Sequence, residues 1–332
     1  MTDWPESTQR TAVVTGATGF LGLNLVRYLL VTGWRVRTVS RRPLLDTEGR
    51  TVDHSIVDVR RHEQLLPVFA GADVVFHLAA KITLATIDAE AWDVNVRGTA
   101  SVARAAREAG VGRLVHCSSV NAFDLARARP LLNERSPRST NADRPLYDRS
   151  KAAGEVEVRK MIDGGLDATI ANPTGVIGPG DPGPSRINAI IEKAARGRLP
   201  IVVDGGFDWV DVRDVVRSLV ALFERGRTGE NYLLTGHRAS ALQLTRMAAD
   251  VNGRRGPLVA LPIGLARRVA PRVERIGNIF NSGLVTPASI GALVDDPLVD
   301  GSKAAAELDH HPRPLAESVR DTVMWFEDKA RR

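Results

Sequence analysis

The stretch that decides the fold is Thr15-Gly16-Ala17-Thr18-Gly19-Phe20-Leu21-Gly22, or TGATGFLG. It follows a short β-branched apolar run, residues 11–15, and it precedes residues 20–31, whose apolar spacing predicts a helix packed on a sheet. The first glycine permits a tight turn, the second lets the backbone approach a pyrophosphate, and the third lets helix and strand pack closely. The amino end of the helix would offer N–H groups and a positive dipole end to phosphates. The pattern therefore favours a dinucleotide-binding turn over a purely structural one.

Strand and helix signals alternate through the first half of the chain. Buried strands are predicted at residues 36–40, 55–57, 73–78, 113–117 and 168–171, and helices at residues 63–69, 90–109 and 147–162. This alternation predicts an α/β fold with a doubly wound, parallel sheet of the Rossmann type. We expect a dinucleotide-binding domain over residues 10–172.

The pattern changes after Asn172. Residues 178–184, GPGDPGP, are too rich in glycine and proline for regular structure and predict a loop. Beyond the loop, helices are predicted at residues 187–196, 213–224, 241–251, 262–276 and 314–329, with one strand at 231–234. We expect residues 173–332 to form a smaller, mostly helical, substrate-binding region. Segments such as 200–235 are expected to pack back on the first domain.

Tyr147 and Lys151 form a YxxxK pair in a segment that reads as helix. One turn of spacing places both side chains on the same face. An ammonium near a phenol favours the phenolate and depresses its pKa, which would make Tyr147 a general acid/base nearer neutral pH. The pair alone is a weak signal, because Tyr and Lys fall at this spacing by chance in many helices.

Three segments together resemble the extended short-chain dehydrogenase/reductase family. The turn has TGxxGxxG spacing, the Tyr147 helix reads YDRSKAAGE and is similar to the YxxSKxxxE helix of that family, and residues 113–119, RLVHCSS, resemble its serine strand. The segments also follow the family's order. The serine strand continues as SVNAF, without the Tyr-Gly usual in sugar-nucleotide epimerases. The chain is therefore most similar to the dihydroflavonol reductase and 3β-hydroxysteroid dehydrogenase branch.

The resemblance implies a catalytic set of Ser119, Tyr147 and Lys151, with Ser118 as the alternative serine. Ser119 would hydrogen-bond the substrate oxygen, and Lys151 would hold the nicotinamide ribose. Asn95, in a segment similar to the family's NVxGT helix, is expected to be structural. The expected cofactor contacts come from the glycine turn, the strand ends and the catalytic helix, and they are Gly16, Thr18, Gly19, Phe20, Leu21, Gly22, Arg41, Arg42, Asp58, Val59, Leu78, Ala79, Ala80, Tyr147, Lys151 and Pro173.

The residues that end the second predicted strand bear on the choice of cofactor. Val39-Ser40-Arg41-Arg42 lacks the acid that would grip the adenosine ribose hydroxyls of NAD. A guanidinium there can pair with the 2′-phosphate of NADP through charge-assisted hydrogen bonds. The sequence therefore predicts NADP(H) as the preferred cofactor, with NAD(H) still open. It leaves undecided whether Arg41 or Arg42 binds the phosphate, and two solvated surface arginines are the alternative.

These signals predict an NADP(H)-dependent oxidoreductase, a carbonyl reductase or alcohol dehydrogenase, that acts on a small-molecule substrate. One alternative is a nucleotide-sugar epimerase or dehydratase with bound NAD. A second alternative is a non-catalytic NAD(P)-sensing protein. Such proteins usually lose the tyrosine or the lysine, and this chain has both.

Bulk properties argue against other classes of protein. The formal charge is +6, but the arginines are scattered, so no nucleic-acid partner is expected. The sequence has no apolar run long enough to cross a bilayer and no secretion signal at its start, so no membrane partner is expected. Cys117 is the single cysteine and the histidines are dispersed, with His310 and His311 in a surface stretch, so no disulfide or metal site is expected. We expect a cytoplasmic protein, with a homodimer as one form of assembly.

Overall fold

The computed structural model describes residues 9–44, 49, 51–83, 85, 87–128, 130–183, 185–262, 264–265 and 297–331. The strands within these residues are β1 Thr11–Thr15, β2 Arg35–Ser40, β3 Asp53–Ile56, β4 Val74–His77, β5 Arg113–Cys117, β6 Leu131–Leu132, β7 Ala168–Pro173, β8 Gly175–Ile177, β9 Ile201–Val203, β10 Gly206–Asp211, β11 Asn231–Leu234, β12 His237–Ser240, β13 Val259–Leu261 and β14 Leu298–Val299. The α-helices are α1 Phe20–Val31, α2 His62–Phe69, α3 Ala89–Trp92, α4 Thr99–Glu108, α5 Leu146–Asp163, α6 Arg186–Ala195, α7 Val212–Arg225, α8 Ala241–Val251, α9 Ser302–Leu308 and α10 Leu315–Arg331.

Seven strands form one parallel sheet in the order β11-β7-β5-β4-β1-β2-β3. Every residue of β1, β4 and β7 is buried, because helices cover both faces of the sheet. The strand order reverses between β1 and β4. In open α/β sheets such a reversal opens a crevice at the carboxyl ends of the strands, and ligands bind there. The predicted doubly wound α/β fold is confirmed.

The two faces of the sheet bury separate apolar cores. Alternate residues of a strand point to opposite faces, so Val14 joins the core beneath α1 and α7, and Val13 joins the core beneath α2, α4 and α5. Leu25 and Leu29 of α1 are completely buried in the first core. Fully burying a side chain of this size contributes about 1.5–3 kcal/mol. Both helical layers are therefore held firmly against the strands that carry the crevice.

A smaller unit is built from residues that follow β7. Strand β10 pairs in parallel with β8 and antiparallel with β12, and helices α6, α8 and α10 pack around this short sheet. Ile177, Ile191 and Leu244 are buried at its centre with Trp209. Gly175 is required here, because a Cβ at that position would lie 2.6 Å from the Trp209 ring. The unit contains helices, as expected, together with short strands that the sequence did not predict.

Two elements of the second half join the main sheet. Strand β11 pairs in parallel with β7, with Asn231 opposite Ile170, and helix α7 packs against α1. Asp211 caps α7 by accepting the Arg213 N–H at 2.8 Å. Arg313, just before α10, donates to Asp214 of α7 at 3.0 Å. Residues 209–214, which end β10 and begin α7, thus tie α10 to the main sheet.

The structure departs from the sequence predictions in two further places. The helix predicted over residues 90–109 consists of α3, a π-helical segment at Asp93–Gly98, and α4. His310 is buried, so its expected surface position is wrong: its ring nitrogens each lie 2.7 Å from a partner, Ser218 Oγ and the Thr235 carbonyl. The helix predicted at 262–276 lies almost entirely outside the described residues. Within the described ranges, no helix combines the length and apolarity needed to cross a bilayer.

Candidate active site

The glycine turn connects β1 to α1 at the crevice. Gly16 has a φ of 73°, and its N–H donates to the Val39 carbonyl at 2.9 Å. A Cβ on Gly16 would lie 2.7 Å from the Ala79 nitrogen, and a Cβ on Gly22 would overlap the Gly16 carbonyl. Gly19 is exposed, and its Cβ would meet only the Gly16 oxygen, at 3.3 Å. Packing therefore fixes the first and third glycines, whereas the second leaves room for a ligand beside the backbone.

The amino end of α1 fits an anionic group. Gly19 caps the helix without a side-chain hydrogen bond, and the first turn contains no acidic residue. Thr18, Phe20 and Leu21 are half-buried at this end. The N–H groups and dipole of a helix start favour negative charge. The pyrophosphate of a dinucleotide matches this environment.

Asp58 and Val59 lie just beyond the carboxyl end of β3. Both carboxylate oxygens of Asp58 are bound by Arg60, whose Nε donates at 3.0 Å and whose Nη2 donates at 2.5 Å. These hydrogen bonds lower the pKa of Asp58 to about 2, so the carboxylate is charged at neutral pH. Val59 is buried beside Gly98. This corner therefore offers a charged acceptor next to an apolar wall.

Arg41 and Arg42 are exposed on the loop after β2, and Arg41 has a partner that the sequence did not indicate. Its Nη1 donates to Glu90 Oε1 at 3.0 Å, and Glu90 Oε2 accepts from Lys81 Nζ at 2.6 Å. The charge of Arg41 is also among the lesser causes that lower the pKa of Asp58, after the hydrogen bonds described above. Arg41 therefore lies at the same corner as Asp58.

The carboxyl end of β4 contacts the glycine turn. Leu78 and Ala79 are half-buried and Ala80 is exposed. The Ala79 N–H donates to Thr15 Oγ1 at 3.4 Å, and His77 Nδ1 lies 2.8 Å from the same hydroxyl. The end of β4 is thus fixed against the end of β1, and its small residues line the crevice.

Two buried histidines lie near Lys151 of α5. The rings of His77 and His116 stack with centroids 5.3 Å apart. Burial, followed by the charge of Lys151, lowers the pKa of both rings, and the pKa of His77 falls to about 3. Neither nitrogen of His116 has a hydrogen-bond partner in the part of the chain that the structure describes. The same part holds no cluster of three or more potential metal ligands. Both imidazoles are therefore neutral at neutral pH, and His77 in addition hydrogen-bonds the Thr15 and Thr99 hydroxyls.

The structure brings Ser119, Tyr147 and Lys151 together beyond the carboxyl end of β5. Ser119 caps a 3-10 turn, where its Oγ accepts the Asn121 N–H at 3.2 Å. Asn121 of the same turn donates from Nδ2 to Oδ1 of Asp148, the neighbour of Tyr147, at 3.0 Å, and the Ser119 hydroxyl lies close enough to Tyr147 to lower the pKa of its phenol. Lys151 is buried, and its Nζ donates to the Cys117 carbonyl at 2.8 Å. The Ser119 hydroxyl, the Tyr147 phenol and the Lys151 amine thus lie at the edge of the sheet where the strands have their carboxyl ends.

The pKa of Tyr147 departs from the sequence expectation. Burial raises the pKa of the phenol above its ordinary value, and the Ser119 side chain opposes this only in part. The expected lowering of the Tyr147 pKa by Lys151 is wrong for this structure, because burial of the phenol has the larger effect. Lys151 Nζ donates to the Cys117 carbonyl, and burial lowers the pKa of Lys151 as well. Ser118 does not join the group: its buried Oγ has no hydrogen-bond partner among the residues that the structure describes.

Asn95 fixes helix α5 to the loop after β4. Its Nδ2 donates to Ser150 Oγ at 2.9 Å and to the Lys81 carbonyl at 3.0 Å, and its Oδ1 accepts the Lys81 N–H at 2.8 Å. Ser150 Oγ in turn donates to the Tyr147 carbonyl at 2.8 Å. Asn95 therefore positions the start of α5 and both backbone groups of Lys81.

A buried polar network holds the serine strand from the other side. Glu155 of α5 is 2 % exposed, and its carboxylate accepts from Arg138 Nε at 3.1 Å, Asn172 Nδ2 at 2.7 Å and Asn231 Nδ2 at 3.1 Å. Asn172 Nδ2 also donates to the Ser119 carbonyl at 2.9 Å. No role was predicted for these four residues from the sequence. Glu155 could have been identified, because it is the last residue of the YxxSKxxxE pattern.

Pro173 and the loop after β8 close the far side of the crevice. Pro173 ends β7 and is buried opposite Leu234. Asn24 Nδ2 of α1 lies 3.4 Å from the Pro179 carbonyl and 3.3 Å from the Gly180 carbonyl. Gly180 has a φ of 81°, a conformation that L side chains rarely adopt. The predicted Gly-Pro loop thus docks on the helix that follows the glycine turn.

The sequence model for a known family, described as NAD dependent epimerase/dehydratase, matches residues 12–234. The chain belongs to this family. Sterol demethylase protein B of Methylococcus capsulatus is 34% identical over 328 residues, which cover 96% of this chain and 99% of that protein. The 3beta-hydroxysteroid-dehydrogenase/decarboxylase isoform 1 of Arabidopsis thaliana is 27% identical over 354 residues, with 96% and 80% covered. The crystal structure of gox2253 superimposes with a TM-score of 0.81 at 31% identity and covers 97% of this chain and 99% of that one.

Membership of the NAD dependent epimerase/dehydratase family confirms the resemblance to extended short-chain dehydrogenases/reductases and the expectation of an enzyme. The chain is an oxidoreductase of this family, and its glycine turn fits the nicotinamide dinucleotide in the family's name. Besides Glu155 and Asn172, three contributors to the site were missed: Glu90, Arg138 and Asn231. They lie in segments without a family pattern and reach the site only through tertiary folding. The position of Asn231 in a predicted strand was the one available signal.

Proposed function

We propose that this enzyme transfers a hydride between NADP(H) and a carbonyl or secondary alcohol, with Tyr147 as general acid/base. The observation that carries the proposal is the contact between the turn that holds Ser119 and the helix that holds Tyr147 and Lys151: Asn121 Nδ2 donates to Asp148 Oδ1 at 3.0 Å, and Lys151 Nζ donates to the Cys117 carbonyl at 2.8 Å. A substrate oxygen placed between the two hydroxyls would accept a hydrogen bond from each. Lys151, buried within the same group, would bind the nicotinamide ribose.

The chemistry follows from the protonation states. Bound nicotinamide supplies or receives the hydride. In the direction of reduction, Tyr147 gives its proton to the oxygen that develops negative charge, and Ser119 donates a hydrogen bond to the same oxygen. Because burial raises the pKa of Tyr147, the phenol is protonated at neutral pH, which is the form that carbonyl reduction requires.

The preference for NADP(H) rests on Arg41. A 2′-phosphate that meets a guanidinium gains charge-assisted hydrogen bonds. The Arg41 side chain is 54% exposed, so water and salt weaken the gain, and we expect a margin of about tenfold over NAD(H) at low salt. We further propose that residues 173–332 supply most of the substrate pocket, and that the substrate is a hydroxylated or oxidised ring compound. The names of the steroid dehydrogenase and the sterol demethylase protein support that class.

A panel of carbonyl compounds, including 3-oxosteroids, tests the proposal when NADPH absorbance is followed. We expect turnover with at least one ketone, and Tyr147→Phe should lose it while binding NADPH nearly as tightly as the wild type, because only the proton donor is removed. Near-wild-type turnover by Tyr147→Phe would contradict the role of Tyr147 as general acid/base. UDP-sugars incubated with the enzyme and NAD form the second arm, since epimerised sugar would favour the epimerase/dehydratase alternative.

A further inference from the structure

An ion-pair chain crosses the mouth of the crevice. Glu90 accepts from Arg41 through one carboxylate oxygen and from Lys81 through the other, at 3.0 Å and 2.6 Å. Arg41 follows β2 and Lys81 follows β4, and these strands lie on either side of β1. The carboxylate of Glu90 therefore links the two strand ends that flank the glycine turn.

This arrangement places an acid where the sequence shows none. In NAD sites an acid after the second strand grips the ribose 2′-hydroxyl, and here that position holds Arg41. Glu90 reaches Arg41 from α3. The same guanidinium influences Asp58 at the adenosine corner. A carboxylate and a guanidinium, the two groups that distinguish the NAD and NADP forms, thus meet at one point.

We propose that Glu90 is a specificity-determining residue that lets the site accept both cofactors by exchange of ion pairs. With NAD(H), Glu90 stays on Arg41 and its carboxylate accepts the hydrogen bond of the ribose 2′-hydroxyl. With NADP(H), Arg41 turns to the 2′-phosphate and Glu90 keeps Lys81. The inference rests on the proposed function in one respect, the contact between Arg41 and the 2′-position.

The exchange of ion pairs costs little free energy, because Glu90 is shared between Arg41 and Lys81. The Arg41 and Glu90 side chains are 54% and 48% exposed, so the ion pair between them is weak and screened by water. Glu90 does not lose all of its partners when Arg41 leaves, because Lys81 still binds it. The carboxylate nevertheless repels a 2′-phosphate nearby, so Glu90 narrows the preference for NADPH.

Fluorescence titration of NADPH and NADH tests the proposal on wild type and Glu90→Gln. Gln keeps the shape and removes the charge, so we expect NADPH affinity to rise about two- to fivefold, the range for an exposed ion pair, while NADH affinity stays level or falls. Glu224→Gln is the matched control. Glu224 of α7 pairs at 2.8 Å with Arg10, which precedes the amino end of β1, and the two side chains are exposed to an extent similar to that of Glu90 and Arg41. An equal change for both cofactors in Glu90→Gln would overturn the inference.

Two further variants separate the roles. In Lys81→Met, Glu90 has Arg41 alone, so the NADPH margin should shrink; in the double variant with Glu90→Gln, Lys81→Met should no longer change the margin. A full effect of Lys81→Met in the double variant would mean that Lys81 binds the phosphate itself, and would contradict the exchange. Arg41→Ala isolates the proposed function. If Arg41→Ala still binds NADPH more tightly than NADH by the wild-type factor, the assignment of the 2′-phosphate to Arg41 fails. If that factor is lost in Arg41→Ala but unchanged in Glu90→Gln, only the role of Glu90 is overturned.

Discussion

Replacement of Glu155 by glutamine tests how the serine strand is held. The carboxylate is 2 % exposed and accepts hydrogen bonds from Arg138, Asn172 and Asn231. Gln has nearly the same shape, but it removes the charge that Arg138 faces and puts an amide where an acceptor is needed. The variant therefore leaves a largely desolvated guanidinium without its counterion.

The cost can be worked from the geometry. Removing one partner of a buried ion pair costs about 3–5 kcal/mol. The Arg138 side chain is 26% exposed, so water compensates in part and we expect a loss of about 2–3 kcal/mol. For 332 residues at about 2.1 cal/mol/K each, the entropy of unfolding is about 0.7 kcal/mol/K. The Tm should therefore fall by about 3–4 °C.

Urea unfolding and thermal melting provide the measurement, and Glu157→Gln is the control on the same helix. Glu157 pairs with Lys160 at 2.7 Å, but the Lys160 side chain is 58% exposed, so the control should lose less than about 0.5 kcal/mol. Turnover should also fall in Glu155→Gln, because Asn172 connects the carboxylate to the Ser119 carbonyl. Equal losses of stability in the two variants would refute the reasoning.

Three more variants test the roles of Lys151, the buried His116 and the glycine turn. Lys151→Met should weaken NADPH binding in a fluorescence titration and slow turnover, since it removes the ribose contact; if both stay unchanged, the YxxxK spacing is coincidental. The pKa of His116 lies below its ordinary value of 6.5 in the folded state. Below pH 6.5 the unfolded chain therefore binds a proton at His116 that the folded protein does not bind, and the free energy of unfolding falls as the pH is lowered. His116→Phe should therefore reduce the slope of unfolding free energy between pH 5 and 6 by up to about 1.4 kcal/mol per pH unit, and identical slopes in urea titrations of both proteins would contradict this. Gly22→Ala should lower NADPH affinity more than about tenfold, because its Cβ overlaps the Gly16 carbonyl, whereas Gly183→Ala, whose Cβ meets no atom within 4 Å, should bind normally.

The sequence predicted those parts of the molecule in which local pattern and tertiary role coincide. The glycine turn and the strands β1, β5 and β7 are examples, because burial on both faces forces continuous apolar runs. Short strands such as β8 and β12 were not predicted. Three or four residues carry too little periodicity, and those strands exist because they pair with β10.

The candidate site divides in the same way. Ser119, Tyr147 and Lys151 lie in motifs, so their approach to one another could be expected from the order of the strands. The partners of Arg41 and the pKa of Tyr147 could not be predicted, since both depend on where side chains point after packing. A lysine one turn from a tyrosine can face a backbone carbonyl, and Lys151 does so.

The pairing of β11 with β7 has a consequence for how the chain reaches its native state. Strand β7 is buried along its whole length, so a chain that ends after Asn172 would present it as a bare edge, open to pairing with other copies. Asn231, which binds Glu155, would be missing as well. During synthesis the half of the chain that contains Ser119, Tyr147 and Lys151 cannot complete its sheet until residue 234 is available, although all three residues have been made by residue 151. The edge of β7 therefore stays unpaired in the nascent chain while residues 174–234, from β8 through α7 to β11, are synthesised.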